Sequence, residues 1–331
     1  TIARALARRA ERGFGSPLLL MSLFRAGRLD AAIADLDLRW SLSGAPPRPF
    51  PQPAWDGGAL PDETLLVWGE QGLGEEIWAA ALLPEAAARV GALVLDCAPR
   101  LQALFARSFP DATVVARSDP PDPACAAAGV QCPSVGLLRA LPARLATHAP
   151  HLAADGAATA ALRARYRALG PGPVVGLSWR SANRRVADAK SSDLLDWRPI
   201  LDRPAVFVDL QYGDTEQERA AAAAVFGVTI HRDPTIDALG DLDLPAAQIA
   251  AMDAVVTVSN TTAHLAGGLG VPTAVLLARG RGQFWTWMDA RVPWYTGMTL
   301  CRQERAGEWA PPIAAAAAAL DRLVPLSRPS P

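Results

Sequence analysis

Cysteine is scarce in this chain. Cys97, Cys125, Cys132 and Cys301 are scattered along 331 residues without metal-ligand spacing, and they offer no disulfide framework for a chain of this length. An excess of charge of either sign is also missing. With 32 Lys and Arg against 33 Asp and Glu, the formal net charge is −1. That removes the general attraction on which nonspecific nucleic-acid or anionic-membrane binding depends, although a local basic patch stays open. No hydrophobic run is long enough to span a bilayer, and Thr1 to Arg12 mixes alanine and arginine without the apolar core of a signal peptide. The cytoplasm is therefore the expected compartment, with no nucleic-acid partner and no membrane span. The chain begins at Thr1 rather than at methionine, so a longer parent protein is expected. Lysine is rare, whereas alanine, arginine and proline are abundant. Half of the residues are hydrophobic, enough for two domains with substantial cores.

Residues 1–42 read as helices, with turns at Gly13-Phe-Gly15 and Gly27-Arg28. Leu18 to Asp35 resembles part of a tetratricopeptide repeat, because apolar positions at helical spacing meet across a tight turn. A plain helical hairpin packed on the following domain fits the same pattern. Residues 43–61 form a linker whose prolines at 46, 47, 49, 51 and 53 favour an extended path, with Phe50 and Trp55 as anchors. From there apolar strands alternate with helices. Residues 62–170 hold strands at Thr64–Trp68, Ala92–Leu95 and Thr113–Ala116, and a helix from Glu75 to Val90 broken at Pro84. Gly170-Pro-Gly-Pro173 marks a domain boundary. Residues 171–311 hold strands at Val174–Trp179, Ala205–Leu210, Val228–His231, Ala254–Val258 and Thr273–Leu277. Residues 312–331 supply a last helix and tail. The expected fold is α/β, with two Rossmann-like parallel-sheet domains behind a short all-helical N-terminal extension.

The most informative stretch is Ala254 to Leu277. Two buried strands flank Ser259-Asn-Thr-Thr262, which offers several N-caps for a short helix stopped at Gly270 and Pro272. A strand, polar turn and helix in this order aim the first-turn amides and the positive end of the helix dipole beyond the strand's carboxyl end, where phosphates bind. Ser259, Thr261, Thr262 and His264 would line such a pocket. A well-capped helix of any α/β protein has the same appearance.

Several motifs together resemble the glycosyltransferase region of bacterial tetratricopeptide-repeat proteins, which is similar to the heptosyltransferases and, more distantly, to protein O-GlcNAc transferase. They are Trp68-Gly-Glu-Gln-Gly-Leu-Gly-Glu-Glu-Ile, Gly176-Leu-Ser-Trp-Arg-Ser-Ala-Asn, Leu210-Gln-Tyr-Gly, Ser259-Asn-Thr-Thr-Ala-His-Leu-Ala-Gly and Pro293-Trp-Tyr. The resemblance covers nearly the whole chain and implies the GT-B fold. It also implies an inverting, metal-independent transferase with no cofactor, whose substrate is a nucleotide sugar. On this basis Ser178, Arg180, Asn183, Lys190, Gln211, Ser259, Asn260, Thr261, Thr262 and His264 bind the donor nucleotide and phosphates. Gly72 and Gly74 form an acceptor loop, and Glu75 is the catalytic base at the start of a helix. The family most often has Asp where this chain has Glu75. Part of the family glycosylates flagellin, which implies a protein acceptor and a nonulosonic-acid donor. The two domains would close a crevice by hinging near Gly170 to Pro173.

Two other readings stand beside this one. A degenerate sugar-nucleotide-binding scaffold on a repeat protein would share the fold and lack turnover. An NAD-dependent oxidoreductase would use Gly72-Leu-Gly74 and Asp96, but Ile77 occupies the place of the third glycine in that fingerprint.

Overall fold

The computed structural model of the protein describes residues 23, 29–34, 36–43, 46–141, 149–181, 187–279, 292 and 294–324. They fall into two compact units. One runs up to Ala98 and resumes at Asp111. The other takes in Pro99–Pro110 and the described residues from Ala149 onward.

The first unit is built on a parallel sheet of order β3-β2-β1-β4, with β1 at Leu60–Trp68, β2 at Val90–Cys97, β3 at Thr113–Ala116 and β4 at Val130–Pro133. The apolar ends of β1 and β2 are buried, as continuous hydrophobic runs in a parallel sheet must be. The helical extension contributes α1 (Leu29–Ala34) and α2 (Leu38–Ser43). A turn at Leu36-Asp37 interrupts what reads from sequence as one helix over residues 30–40. Trp40 and Phe50 pack on the sheet face formed by Leu66, Trp68, Val94 and Val115. Trp40 stacks on Trp68 with ring centroids 5.8 Å apart, so the extension and the linker are part of this unit's core. The linker also runs beside β4, where Trp55 N donates to Gln131 O and Gln131 N donates to Pro53 O. Helix α3 (Leu73–Ala79) follows β1 and buries Ile77 and Trp78. The expected break near Pro84 is a 3-10 turn over Ala80–Leu82, after which a short helix resumes at Leu83–Ala87 with the proline in its first turn.

The second unit has six parallel strands in the order β10-β9-β8-β5-β6-β7. They are β5 (Val174–Ser178), β6 (Val206–Asp209), β7 (Ile230–His231), β8 (Ala254–Val258), β9 (Thr273–Leu277) and β10 (Met298–Arg302). Its helices include α4 (Glu216–Phe226), α5 (Thr261–Gly268) and α6 (Ala310–Leu323). The core joins Val175, Leu177, Trp179, Val256, Val258, Ala274 and Leu276 to Ile313, Ala316 and Leu320 of α6. Strand β10 is not expected from sequence. It is an edge strand in which only Cys301 is fully buried, so it lacks the apolar run that betrays β8 and β9. The chain leaves β5 for β6 and β7, then returns to the other side of β5 as β8. Strand order therefore reverses between β5 and β8, and parallel α/β sheets bind ligands beyond the strand ends at such a reversal.

Candidate functional site

Helix α5 starts at that reversal. Asn260 is its N-cap, in extended conformation, and its side-chain oxygen accepts from Ala263 N. The same side chain ties the two central strands together. Asn260 Nδ2 donates to Ser178 Oγ at 2.8 Å and to Arg180 O at 3.0 Å. Ser178 Oγ donates to Gln211 Oε1 at 3.1 Å, and that oxygen also accepts from Trp179 N and Arg180 N at 2.9 and 2.8 Å. Ser178, Gln211 and Asn260 thus satisfy one another and the backbone turn after β5. The sequence expectation gives them to the nucleotide, and the structure shows them bonded to one another around the start of α5.

Helix geometry leaves the first-turn amides of Thr261 and Thr262 without an acceptor inside the helix. Ser259 and Thr262 are buried and Thr261 is half-buried, so these donors sit at a partly water-excluded helix end. His264 is one turn along α5. Its Nδ1 lies 3.0 Å from Tyr295 Oη. Burial, reinforced by the nearby Lys190 ammonium, lowers the imidazole pKa to about 3, so the ring is neutral at physiological pH. Lys190 closes the short helix Ala187–Lys190 and is the sole lysine of the chain. Thr261, Thr262 and His264 therefore share the first turns of one helix, and the Lys190 charge acts on the His264 ring.

Arg180 does not join them through its guanidinium, which pairs with Glu218 of α4 at 3.0 Å and donates to Asp214 O at 2.9 Å. Trp179 Nε1 donates to the same Glu218 carboxylate. Asn183 lies outside the described residues, as do His148, Phe284, Trp285, Trp287 and Pro293. Sequence reasoning passes over Asp209, which is buried at the end of β6 and holds Arg219 and Arg232 at 3.3 and 3.1 Å. Asp209 and Arg232 border a small polar cleft also lined by Gln211, Asp233 and Gln248. Its signal in the sequence is the acidic residue closing a buried strand.

The candidate acceptor loop belongs to the first unit. Gly72 is the N-cap of α3 with an extended backbone, and Glu75 lies in the first turn. A Cβ placed on Gly72 would come within 3.1 Å of the Glu75 carboxylate, so the side chain folds back over the loop. The left-handed residue of this loop is Gln71, with φ 65°, rather than a glycine. Two buried acids anchor the loop. Glu70 accepts from Arg39 Nε and Nη2 at 2.7 and 2.9 Å and from Val135 N at 3.0 Å. Glu76 accepts from Arg117 and from Ala98 N, each at 2.8 Å, and burial still holds its pKa above the usual carboxylate range. Glu76 is thus fixed inside the fold, while Glu75 is half-buried.

Among the described residues no cluster of His, Cys, Asp and Glu is placed to hold a metal ion, and no helix is long and apolar enough to cross a membrane.

No family model matches the sequence. Protein FlbA of Caulobacter vibrioides is 36% identical over 345 residues, covering 94% of this chain and 57% of FlbA. The chain thus spans a little over half of that relative. The solved structure of a family 9 glycosyl transferase from Veillonella parvula matches with a TM-score of 0.59 and 10% identity, over 82% of this chain and 100% of that one. The Escherichia coli ADP-heptose LPS heptosyltransferase II matches with a TM-score of 0.54 and 14% identity, over 78% and 98%. At these identities the likeness is one of fold, and the two parallel-sheet units are those of the GT-B architecture.

Proposed function

We propose that the chain is an inverting glycosyltransferase that moves a sugar from a nucleotide-activated donor to an acceptor hydroxyl without a metal or cofactor. The feature that supports this reading is the capped N-terminus of α5 at the reversal of strand order, with His264 one turn along and the Lys190 charge acting on its ring. Backbone amides, threonine hydroxyls, an imidazole N–H and one ammonium form a donor set suited to a diphosphate. As the bond from the anomeric carbon to the phosphate oxygen breaks, its electron pair and negative charge pass to that oxygen, where these groups stabilise them. The acceptor oxygen forms the new bond to the anomeric carbon and its proton passes to Glu75. Ser259 and the Ser178–Gln211–Asn260 frame hold the helix end, and Gly72 and Gly74 allow the acceptor to approach Glu75. Arg180 acts through its backbone carbonyl, and Asn183 retains the donor role that its motif implies. The sequence resemblance extends the reading to a protein acceptor of flagellin type, recruited in the cytoplasm by the repeat-like helical start.

A thermal-shift titration with UDP, GDP, CMP and ADP sugars and with NAD, in the absence of added metal, tests this reading. Binding to the native state raises the midpoint by mass action. One sugar nucleotide should stabilise the wild type and not His264→Ala. Stabilisation by NAD alone sinks the reading; Ile77, fully buried where a dinucleotide site needs glycine, speaks against that outcome. Donor binding with no turnover in the wild type, and no change on Glu75→Gln, would identify a scaffold instead.

A further inference from the structure

Helix α5 carries two adjacent glycines, Gly267 and Gly268, and a large side chain sits against each. A Cβ on Gly267 would lie 2.5 Å from Tyr295 Cγ, and one on Gly268 would lie 2.7 Å from Leu152 Cδ1. Gly268 O accepts from His151 N and Leu152 N at 2.9 and 3.0 Å, which draws this segment onto the helix. The His151 ring stacks on Tyr295 with 11° between planes and centroids 6.0 Å apart, while His264 meets the Tyr295 ring edge-on at 66°. Tyr295 is 4% exposed. It is packed between His151 and the glycine face of α5, and its hydroxyl lies against His264 Nδ1.

A neutral imidazole carries one proton, on either Nδ1 or Nε2. Where Nδ1 carries it, Nε2 is an acceptor and repels a phosphate oxygen. Where Nε2 carries it, Nδ1 needs a donor, and a phenol supplies one. We infer that Tyr295 is a positioning residue whose hydroxyl donates to His264 Nδ1, fixing the Nε2–H tautomer and presenting that N–H to the anionic group of a nucleoside diphosphate. The inference rests on the reading of α5 as the donor site. It assigns Tyr295 no contact with the donor: the residue acts through the ring it orients. Gly267 then has a reason, since a side chain there would occupy the space that the tyrosine ring fills.

The test is a long-range proton–nitrogen correlation spectrum of the histidine rings in the whole chain at pH 7.5, with His264→Gln identifying the signal among four histidines. The expected wild-type spectrum shows His264 protonated on Nε2 and hydrogen-bonded as acceptor on Nδ1. Tyr295→Phe should shift the Nδ1 signal and weaken ADP binding roughly threefold to tenfold, the range for losing one net hydrogen bond. A wild-type ring protonated on Nδ1 overturns the inference, as does a Tyr295→Phe protein with unchanged ring nitrogens. Should Tyr295→Phe misfold, the wild-type spectrum alone still decides. A ring in the Nε2–H form in a protein that binds none of ADP, UDP, GDP or CMP upholds the tautomer and overturns its delivery to an anion, and the donor-site reading falls with it.

Discussion

Replacing Arg39 with alanine probes how firmly the helical extension is built into the first unit. The Arg39 guanidinium makes a two-pronged contact with Glu70, whose side chain is 1% exposed, and lies 4.2 Å from the Trp40 ring centroid. Removing it leaves the buried carboxylate with Val135 N as its remaining described donor. Taking away one partner of a buried ion pair costs about 3–5 kcal/mol, because the remaining charge stays desolvated. Arg39→Ala should therefore lower the unfolding free energy obtained from urea titration by an amount in that range. Glu70→Ala should cost a similar amount, and the double variant should cost about 2 kcal/mol less than the sum of the two, because neither buried charge is then left alone. Undocking of the extension offers the chain an escape. In that case the global loss is smaller, and amide exchange in α2 and in the loop at 69–74 accelerates instead. Urea titrations of the four proteins and native-state hydrogen exchange read both responses. Additive losses below about 0.5 kcal/mol with unchanged exchange would refute the reasoning, since that is the behaviour of a surface pair.

Three further outcomes follow from the same structure. The His264 pKa is depressed to about 3 in the folded state, so the unfolded chain binds the extra proton between about pH 6.5 and pH 3. Stability should fall by up to about 1.4 kcal/mol per pH unit as pH drops through that window, and His264→Gln should flatten this limb in pH-dependent urea unfolding; an unchanged limb assigns it elsewhere. Lys190, the only lysine, gives one side-chain signal on reductive methylation with carbon-13 formaldehyde, and a bound nucleoside diphosphate should move it. Lys190→Met should weaken that ligand about tenfold, in line with a charge-assisted hydrogen bond, and unchanged affinity would remove Lys190 from the site. Gln71 is exposed and left-handed, so Gln71→Gly should stabilise by up to about 1 kcal/mol and Gln71→Val should destabilise by about 1–2. Equal thermal midpoints for the two variants would show that the loop relaxes.

The parts of the fold that were legible in the sequence are those where one physical term dominates a short stretch. Strands β5, β8 and β9 are buried on both faces and so write continuous apolar runs, and the N-cap of α5 is a polar cluster directly after one of them. Strand β10 escaped because an edge strand need bury only part of its length, and the helical extension escaped in detail because a turn at Leu36-Asp37 interrupts an unbroken helical periodicity. Side-chain commitments at the site are harder still. Nothing local says that the Arg180 guanidinium turns to Glu218, 38 residues on, or that Gln211 serves the turn after β5, because long-range pairing decides both.

Tyr295 is the instructive case. It stands in the Pro293-Trp-Tyr motif, which carries the resemblance without stating a role, and its partner lies 31 residues earlier. A local signal was present on the other side of the contact. Each glycine inside a helix costs about 1 kcal/mol relative to alanine, so two in succession within α5 oppose the helix they occupy. Such a cost persists where the missing side chains admit something larger: Gly267 admits the phenol ring that meets His264, and Gly268 admits Leu152. Gly267 belongs with the Tyr295–His264 contact, and a Gly267→Ala protein should lose the ordered His264 Nδ1 signal along with that contact.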